Sequence, residues 1–260
     1  MDSEIGLPLA TYHASLWHWL RAQLDGPLDA LRERAFELRR ISDEAHVSSA
    51  WSAFTLGAQL YVVSLLQGGA EETLAQTREY AARIEPSFPG LEIMLARLHV
   101  QCGRTDPARR ALAGCARLAS VRRSEGWLFV VAAAAELCAF TGDRDAARVL
   151  YPLLLPYADR VVGVSDLFVC LGSAARPLGS LAALLDDWDT AAAHFERAAR
   201  HADALRAPVL QTLIEVERSL AYRAHPDARE RTSNQERRAG ALSRVKSLGL
   251  LALAERLERD

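Results

Sequence analysis

Apolar residues recur three or four positions apart along this chain, in stretches broken by short polar turns. That period matches the 3.6-residue turn of a helix that buries one face. It predicts helix pairs at 9–24 with 27–44, 48–66 with 70–84, 90–102 with 105–120, 126–141 with 143–156, 167–185 with 188–205, and 208–223 with 234–248, then a short helix at 250–258. Pro27 and Pro107 fit first helical turns, where a missing N–H costs nothing. Pro86, Pro89, Pro156, Pro208 and Pro226 fall in linkers. The polar stretch His225–Asn234 reads as a mobile loop. No segment reads as a boundary, so 1–260 is expected to be a single domain.

The turns themselves repeat. Gly26, Gly68, Gly103, Gly142 and Asp186 follow one another at spacings of 42, 35, 39 and 44 residues. Helix, turn, helix, loop is the natural content of such a period. Offsets of 5, 9 and 12 residues after each turn share one helical face. They give Ala191, Phe195 and Ala198; Ala147, Tyr151 and Leu154; Ala108, Leu112 and Cys115; and Leu31, Ala35 and Leu38. The second unit, with Thr73, Thr77 and Tyr80, is more polar. Small residues alternating with large ones let two helices approach and interlock.

The stretch from Gly179 to Ala198, GSLAALLDDWDTAAAHFERA, resembles a tetratricopeptide (TPR) repeat. Gly179 takes the small position of the first helix, Trp188 the aromatic after the turn, and Ala191, Phe195 and Ala198 the second-helix positions. Asp186 replaces the usual turn glycine, and an Asx residue also serves a turn. With residues 137–160, LCAFTGDRDAARVLYPLLLPYADR, 170–185, CLGSAARPLGSLAALL, and 245–257, VKSLGLLALAERL, the chain over residues 10 to 258 is similar to the helical-repeat region of large bacterial regulators that join an AAA-type ATPase to such repeats, LuxR-type activators among them. It holds no GxxxxGK[ST] phosphate loop and no helix-turn-helix. The resemblance implies an all-α, right-handed α-solenoid of about six TPR-like helical hairpins with a short C-terminal capping helix.

Composition agrees with helices: 46 Ala and 40 Leu against 15 Val and 5 Ile. Thirty-one basic and 33 acidic residues give a net charge of -2, which offers no general attraction for nucleic acid or anionic membranes. No charge-free apolar run reads as a membrane span. The acidic start Met1-Asp2-Ser3-Glu4 does not read as a signal peptide. Cys102, Cys115, Cys138 and Cys170 lack paired short spacing and sit in helical patterns, which points to free buried thiols, a reducing cytoplasm and no metal site. Thirty Arg against the single Lys246, with the Ala richness, point to a high-GC bacterial genome.

Candidate chemistry follows from the repeat. Residues 6, 10 and 13 before each turn should face the inner, concave wall. They include Arg97 and Ile93, Glu136 and Ala132, and Ser180, Arg176 and Ser173. A carboxylate, Glu136, between the guanidinium groups of Arg97 and Arg176 suits a charged ligand or peptide; the plainer alternative is an ion pair that only positions helices. Trp127 and Phe129 begin the fourth pair and are expected to line the groove. The aromatics Tyr12, Trp17, Trp19, Trp51, Phe54 and Tyr61 read as core or as a docking surface. His13 with His18, and His194 with His201, have no metal-ligand spacing. No nucleophile elbow, HExxH or glycine-rich phosphate loop is present, and the glycines from Gly163 to Gly179 have no strand predicted before them. The basic cluster Arg229, Arg231, Arg237, Arg238, Arg244 and Lys246, interrupted by Glu230 and Glu236, reads as a solvated face.

The expected function is a non-catalytic binding or regulatory module, taking a partner protein, a peptide or a small effector in its groove, with no cofactor and no direct nucleic-acid or membrane contact. Homodimerisation is left open. The alternative is an enzyme or small-molecule binder of a bacterial specialised-metabolite pathway, built on the same scaffold around Arg97, Glu136 and Arg176. A closed pocket holding an acid of perturbed pKa would favour the enzyme, and an open groove the module.

Overall fold

The computed structural model describes residues 8–81, 89–120, 126–164 and 168–259. Among them the chain is all-α apart from one short hairpin. The first four helices are α1 (Pro8–Asp25), α2 (Leu31–Glu44), α3 (Ser49–Gln67) and α4 (Ala70–Ala81). Then come α5 (Pro89–Gln101), α6 (Asp106–Ala113), α7 (Trp127–Thr141) and α8 (Arg144–Leu154). Strands β1 (Val161–Val164) and β2 (Val169–Ser173) precede α9 (Ala175–Leu184) and α10 (Trp188–Ala204). The chain ends with α11 (Pro208–Ala221), α12 (Ala228–Ser247) and α13 (Leu251–Arg259).

Every turn residue singled out in the sequence has a left-handed backbone: Gly26 at φ +61°, Gly68 at +94°, Gly103 at +77°, Gly142 at +73° and Asp186 at +65°. Glycine meets that demand without a Cβ penalty, and an aspartate tolerates it better than most residues. The Asp186 carboxylate also accepts a hydrogen bond from Arg144 Nη2 at 2.6 Å, which ties this turn to the preceding one. Residues at offsets 5, 9 and 12 are buried at almost every repeat, as a helix contact face requires. In the polar second unit Thr73 shares a 2.6 Å hydrogen bond with Ser64 of α3 and accepts one from Arg32, so hydrogen bonding replaces apolar contact there. The Tyr80 side chain lies outside the described residues. Gly179 marks the closest approach: a Cβ there would meet the Phe195 ring at 3.0 Å, so only glycine lets α9 and α10 pack at that distance.

The helix pairs match the periodicity with three corrections. The helix expected at 167–185 is instead strand β2 followed by α9. Four of the chain's valines, Val161, Val162, Val164 and Val169, fall within nine residues, and β-branched side chains favour extended backbone. The two strands pair antiparallel from Val161↔Ser173 to Val164↔Val169 with an irregularity at Val162/Gly163, so a strand does accompany Gly163. Gln23 of α1 closes the far edge. Its side-chain oxygen accepts from Cys170 N at 3.1 Å, and its amide donates to Cys170 O. All of β2 is buried, so it lacks the alternation that marks a half-exposed strand. Second, α2 begins at Leu31; Pro27 follows a cis bond after Gly26 in the preceding turn and is not a first-turn proline, whereas Pro208, read as a linker proline, opens α11. Third, the segment read as a mobile loop is largely helix. Asp227 caps α12, accepting from Arg229 N at 2.7 Å, and buried Asn234 donates to Ser219 O at 2.8 Å.

α3 departs from the expectation that no segment is apolar enough to span a membrane. It carries no charge and is long and apolar enough to cross a membrane by length and composition, yet 72% of its apolar window is buried inside the fold. Its polar residues Ser52, Thr55, Gln59 and Ser64 are buried too, so it is a core helix of this fold.

The odd-numbered helices touch in sequence: α3 meets α5, α5 meets α7, α7 meets α9, α9 meets α11 and α11 meets α13. The terminal helix α13 packs back on α3, and α1 packs on α11, so the first and last helices each close on the opposite part of the fold. Each even-numbered helix lies against its odd-numbered neighbours. This arrangement brings side chains from all seven odd-numbered helices around one shared centre.

Candidate functional site

That centre holds a cavity of about 40 Å³ lined by Gln23 of α1, Val62, Leu65 and Leu66 of α3, Arg97 of α5, Glu136 of α7, Arg176 of α9, Glu217 of α11 and Arg256 of α13. Its size suits one or two water molecules. Charged residues at the meeting point of seven helices are costly unless partnered. Arg176, only 2% exposed, is the hub. Its two terminal nitrogens donate one to Glu136 and one to Glu217, and Nη2 also donates to Leu171 O at 3.0 Å. The geometry therefore staples α7, α9 and α11 through one guanidinium, with β2 attached through its backbone. Burial acts against the charged form of Arg176, but the two carboxylates outweigh it and hold the guanidinium above its ordinary range. For Glu217 burial dominates, reinforced by the Glu136 charge and opposed by Arg176, so its carboxyl is raised.

Arg97 is different. It is 6% exposed, and its Nη1 is buried without a hydrogen-bond acceptor among the described residues. Its carbon Cζ lies 4.2 Å from the centre of the Phe140 ring, and Cζ of Arg256 lies 4.4 Å from the same ring. Burial lowers the Arg97 pKa, partly offset by the charges of Glu136 and Glu217. Tyr61, whose hydroxyl is also buried without a hydrogen-bond partner among the described residues, is raised by burial.

Two larger cavities open beside this centre. One, of about 430 Å³, runs from Glu136, Phe140 and Glu217 past Ser180 to Arg144, Asp186 and Trp188. The other, of about 570 Å³, is lined by Arg97, Phe140 and Arg256 together with Leu65, Val100, Leu253 and the turns at Gly68 and Gly103. Both volumes fall in the range of small-molecule pockets. Phe140 and Arg256 belong to both, so they form the partition between them.

The sequence-predicted residues divide. Arg97, Glu136 and Arg176 converge on the centre, and Ser180 lines the smaller of the open cavities. The partner of Glu136 is Arg176, while Arg97 meets the face of Phe140. Ser173 does not reach the centre: it ends β2, where its hydroxyl accepts from Ala175 N at 3.1 Å and shares a 2.8 Å hydrogen bond with Nδ1 of His201. Neither Trp127 nor Phe129 lines a groove. The Trp127 indole N–H donates to Leu118 O at 3.0 Å and fixes the 3₁₀ turn after α6, and Phe129 packs edge-on against Tyr61. Both are core because α7 is apolar on nearly every side.

Glu217, Phe140, Arg256 and Gln23 were missed. The rule of six residues before the turn would have found Glu217 had Arg223 been counted as a turn residue. No local signal marks Arg256, because α13 enters the centre only by packing back on α3. The remaining candidates are structural or exposed. Tyr12, Trp19 and Tyr61 are core, Trp51 and Phe54 pack on Phe168, and Trp17 is 57% exposed. The cysteines are free, and no group of metal-ligating side chains is found among the described residues. In the basic cluster Arg244 pairs with Glu215, Lys246 with Glu258 and Arg237 with Glu230.

Compared with protein-family models, curated proteins and solved structures, the chain matches none.

Proposed function

We propose that this protein is a non-catalytic, TPR-like binding module that recognises a small effector in the cavity where its first helices converge, and that it serves a regulatory role such as the resembled bacterial regulators imply. In this reading the chain is a right-handed solenoid of about six hairpins, curved until its capping helix closes on the second hairpin. Support comes from the left-handed backbone shared by the five turns and from the Gly179–Phe195 approach at the strongest repeat. Closure by α13 shortens any groove, which favours a compact effector over a long peptide or a partner chain. The cytoplasm, with its reducing conditions, is the proposed setting, and the free thiols fit it.

A single observation carries the functional reading: Arg97 brings a buried, incompletely hydrogen-bonded cation to the wall of a ligand-sized cavity. A ligand with an acceptor would complete the hydrogen bonding of this buried group at the cavity wall. Native mass spectrometry of the protein purified gently from its own host should reveal a small molecule bound. Recovery of a protein partner with an empty cavity would overturn the effector version.

The enzyme reading keeps one observation of its own. Glu217 is an acid raised by burial on the wall of the 430 Å³ cavity, as a general acid would be. Conversion of the co-purified molecule on incubation, abolished by Glu217→Gln, would support it.

A further inference from the structure

We infer that the effector is an organic monocarboxylate, its carboxylate held by Arg97 and its apolar part lying in the 570 Å³ cavity. The inference rests on the effector-binding reading above and specifies its chemistry.

Charge comes first. Three cations, Arg97, Arg176 and Arg256, and two carboxylates, Glu136 and Glu217, line the central cavity. Both carboxylates are hydrogen-bonded to Arg176. Neither carboxylate is hydrogen-bonded to Arg97, which carries its positive charge on the side that faces the larger cavity. A single negative charge balances it. A phosphate dianion would overshoot and would approach Glu136 and Glu217.

Shape and hydrogen bonding come next. A guanidinium presents five N–H donors in a planar fork matched to the two oxygens of a carboxylate. Arg97 Nη1 has no acceptor among the described residues, so the fork has a donor to give. Phe140 positions that fork, with its ring 4.2 Å from Arg97 Cζ and a second cation, Arg256, 4.4 Å from the same ring. The cavity beyond is lined by Leu65, Val100, Ala252 and Leu253. The charges on its rim are already paired, Arg104 with Glu71 at 2.8 Å and Arg259 with Glu255 at 3.9 Å. An anionic head at the inner end and an apolar wall beyond it describe an amphiphilic acid. Burial disfavours the Arg97 cation in the empty site, and a bound carboxylate removes that penalty.

The test is isothermal titration of the full chain with sodium hexanoate, benzoate and phenylacetate, beside their amides, inorganic phosphate and chloride. At least one carboxylate should bind about tenfold or more tightly than its amide, the scale of a hydrogen bond to a charged group. Arg97→Gln should erase that preference while keeping a wild-type circular dichroism spectrum. Leu65→Trp, which fills the cavity and leaves the cation in place, should block the carboxylate in an independent fold background. Equal binding of acid and amide by the wild type, or tighter binding of phosphate or chloride than of every carboxylate, overturns the inference. If that result accompanies a neutral molecule found by native mass spectrometry, the effector-binding reading survives alone. If no small molecule of any class binds, both readings fall.

Discussion

Replacing Arg176 with methionine removes the charge and the donor fork and leaves a shorter, unbranched apolar side chain. The structure sets the cost. Arg176 is buried at the junction of α7, α9 and α11, and its loss leaves Glu136 and Glu217 beside each other without their shared cation. Removing one partner of a buried ion pair typically costs ~3–5 kcal/mol, because a charge is left uncompensated. At ~2–4 °C per kcal/mol for a domain of this size, the melting temperature should fall by ~6–20 °C. The loss should also depend on pH. Burial already raises the Glu217 carboxyl, and losing the Arg176 cation that opposes this raises it further in the variant, so the folded state binds more protons than the unfolded one between the ordinary glutamate value of 4.5 and the raised Glu217 value. The deficit is then full above that raised value and shrinks as the pH falls through it towards 4.5. Urea unfolding followed by circular dichroism, at intervals between about pH 5 and 8, measures it as the difference between variant and wild type. Adding Glu136→Gln and Glu217→Gln to the variant should restore most of the stability, since the buried groups are then neutral. A deficit below ~1 kcal/mol at neutral pH, or one constant across the range, would refute the argument that the triad is a desolvated, charge-compensated unit.

Other expectations follow from the packing. Gly179→Val should cost ~1–3 kcal/mol by driving Cβ into Phe195, whereas Gly240→Ala, open on its helix, should gain ~0.5–1 kcal/mol; paired thermal melts with shifts of the same sign would contradict the packing at α9 and α10. Ala191→Leu and Ala147→Leu, both fully buried at the helix contacts, should each lose ~1–3 kcal/mol, and unchanged melting curves would discredit the repeat register. Gln23→Leu strands two buried backbone groups of Cys170 and should destabilise by ~2 kcal/mol or more in urea unfolding; a neutral result would mean that the β2 edge does not depend on α1.

Helix placement, the five turns and the contact register were legible in the sequence because each depends on residues close in the chain. A 3.6-residue period needs only its own helix, and a left-handed turn needs a glycine or an Asx residue at that point. The convergence of Arg97, Glu136 and Arg176 was legible for the same reason, since each keeps a fixed offset from its turn. What each charge pairs with was not. Arg176 can choose Glu136 and Glu217 only after α7, α9 and α11 have packed, and Arg97 is left facing Phe140 because both carboxylates are taken. The hairpin at Val161–Ser173 escaped notice because complete burial of β2 removes the alternation that identifies a strand. Trp127 and Phe129 were misplaced because a helix apolar on nearly every side does not say which side faces the centre. Arg256 and the cavity it helps to line exist only because α13 returns to α3. Local chemistry determined the elements of this protein; long-range closure, in which desolvated charges must find partners across the fold, decided its site.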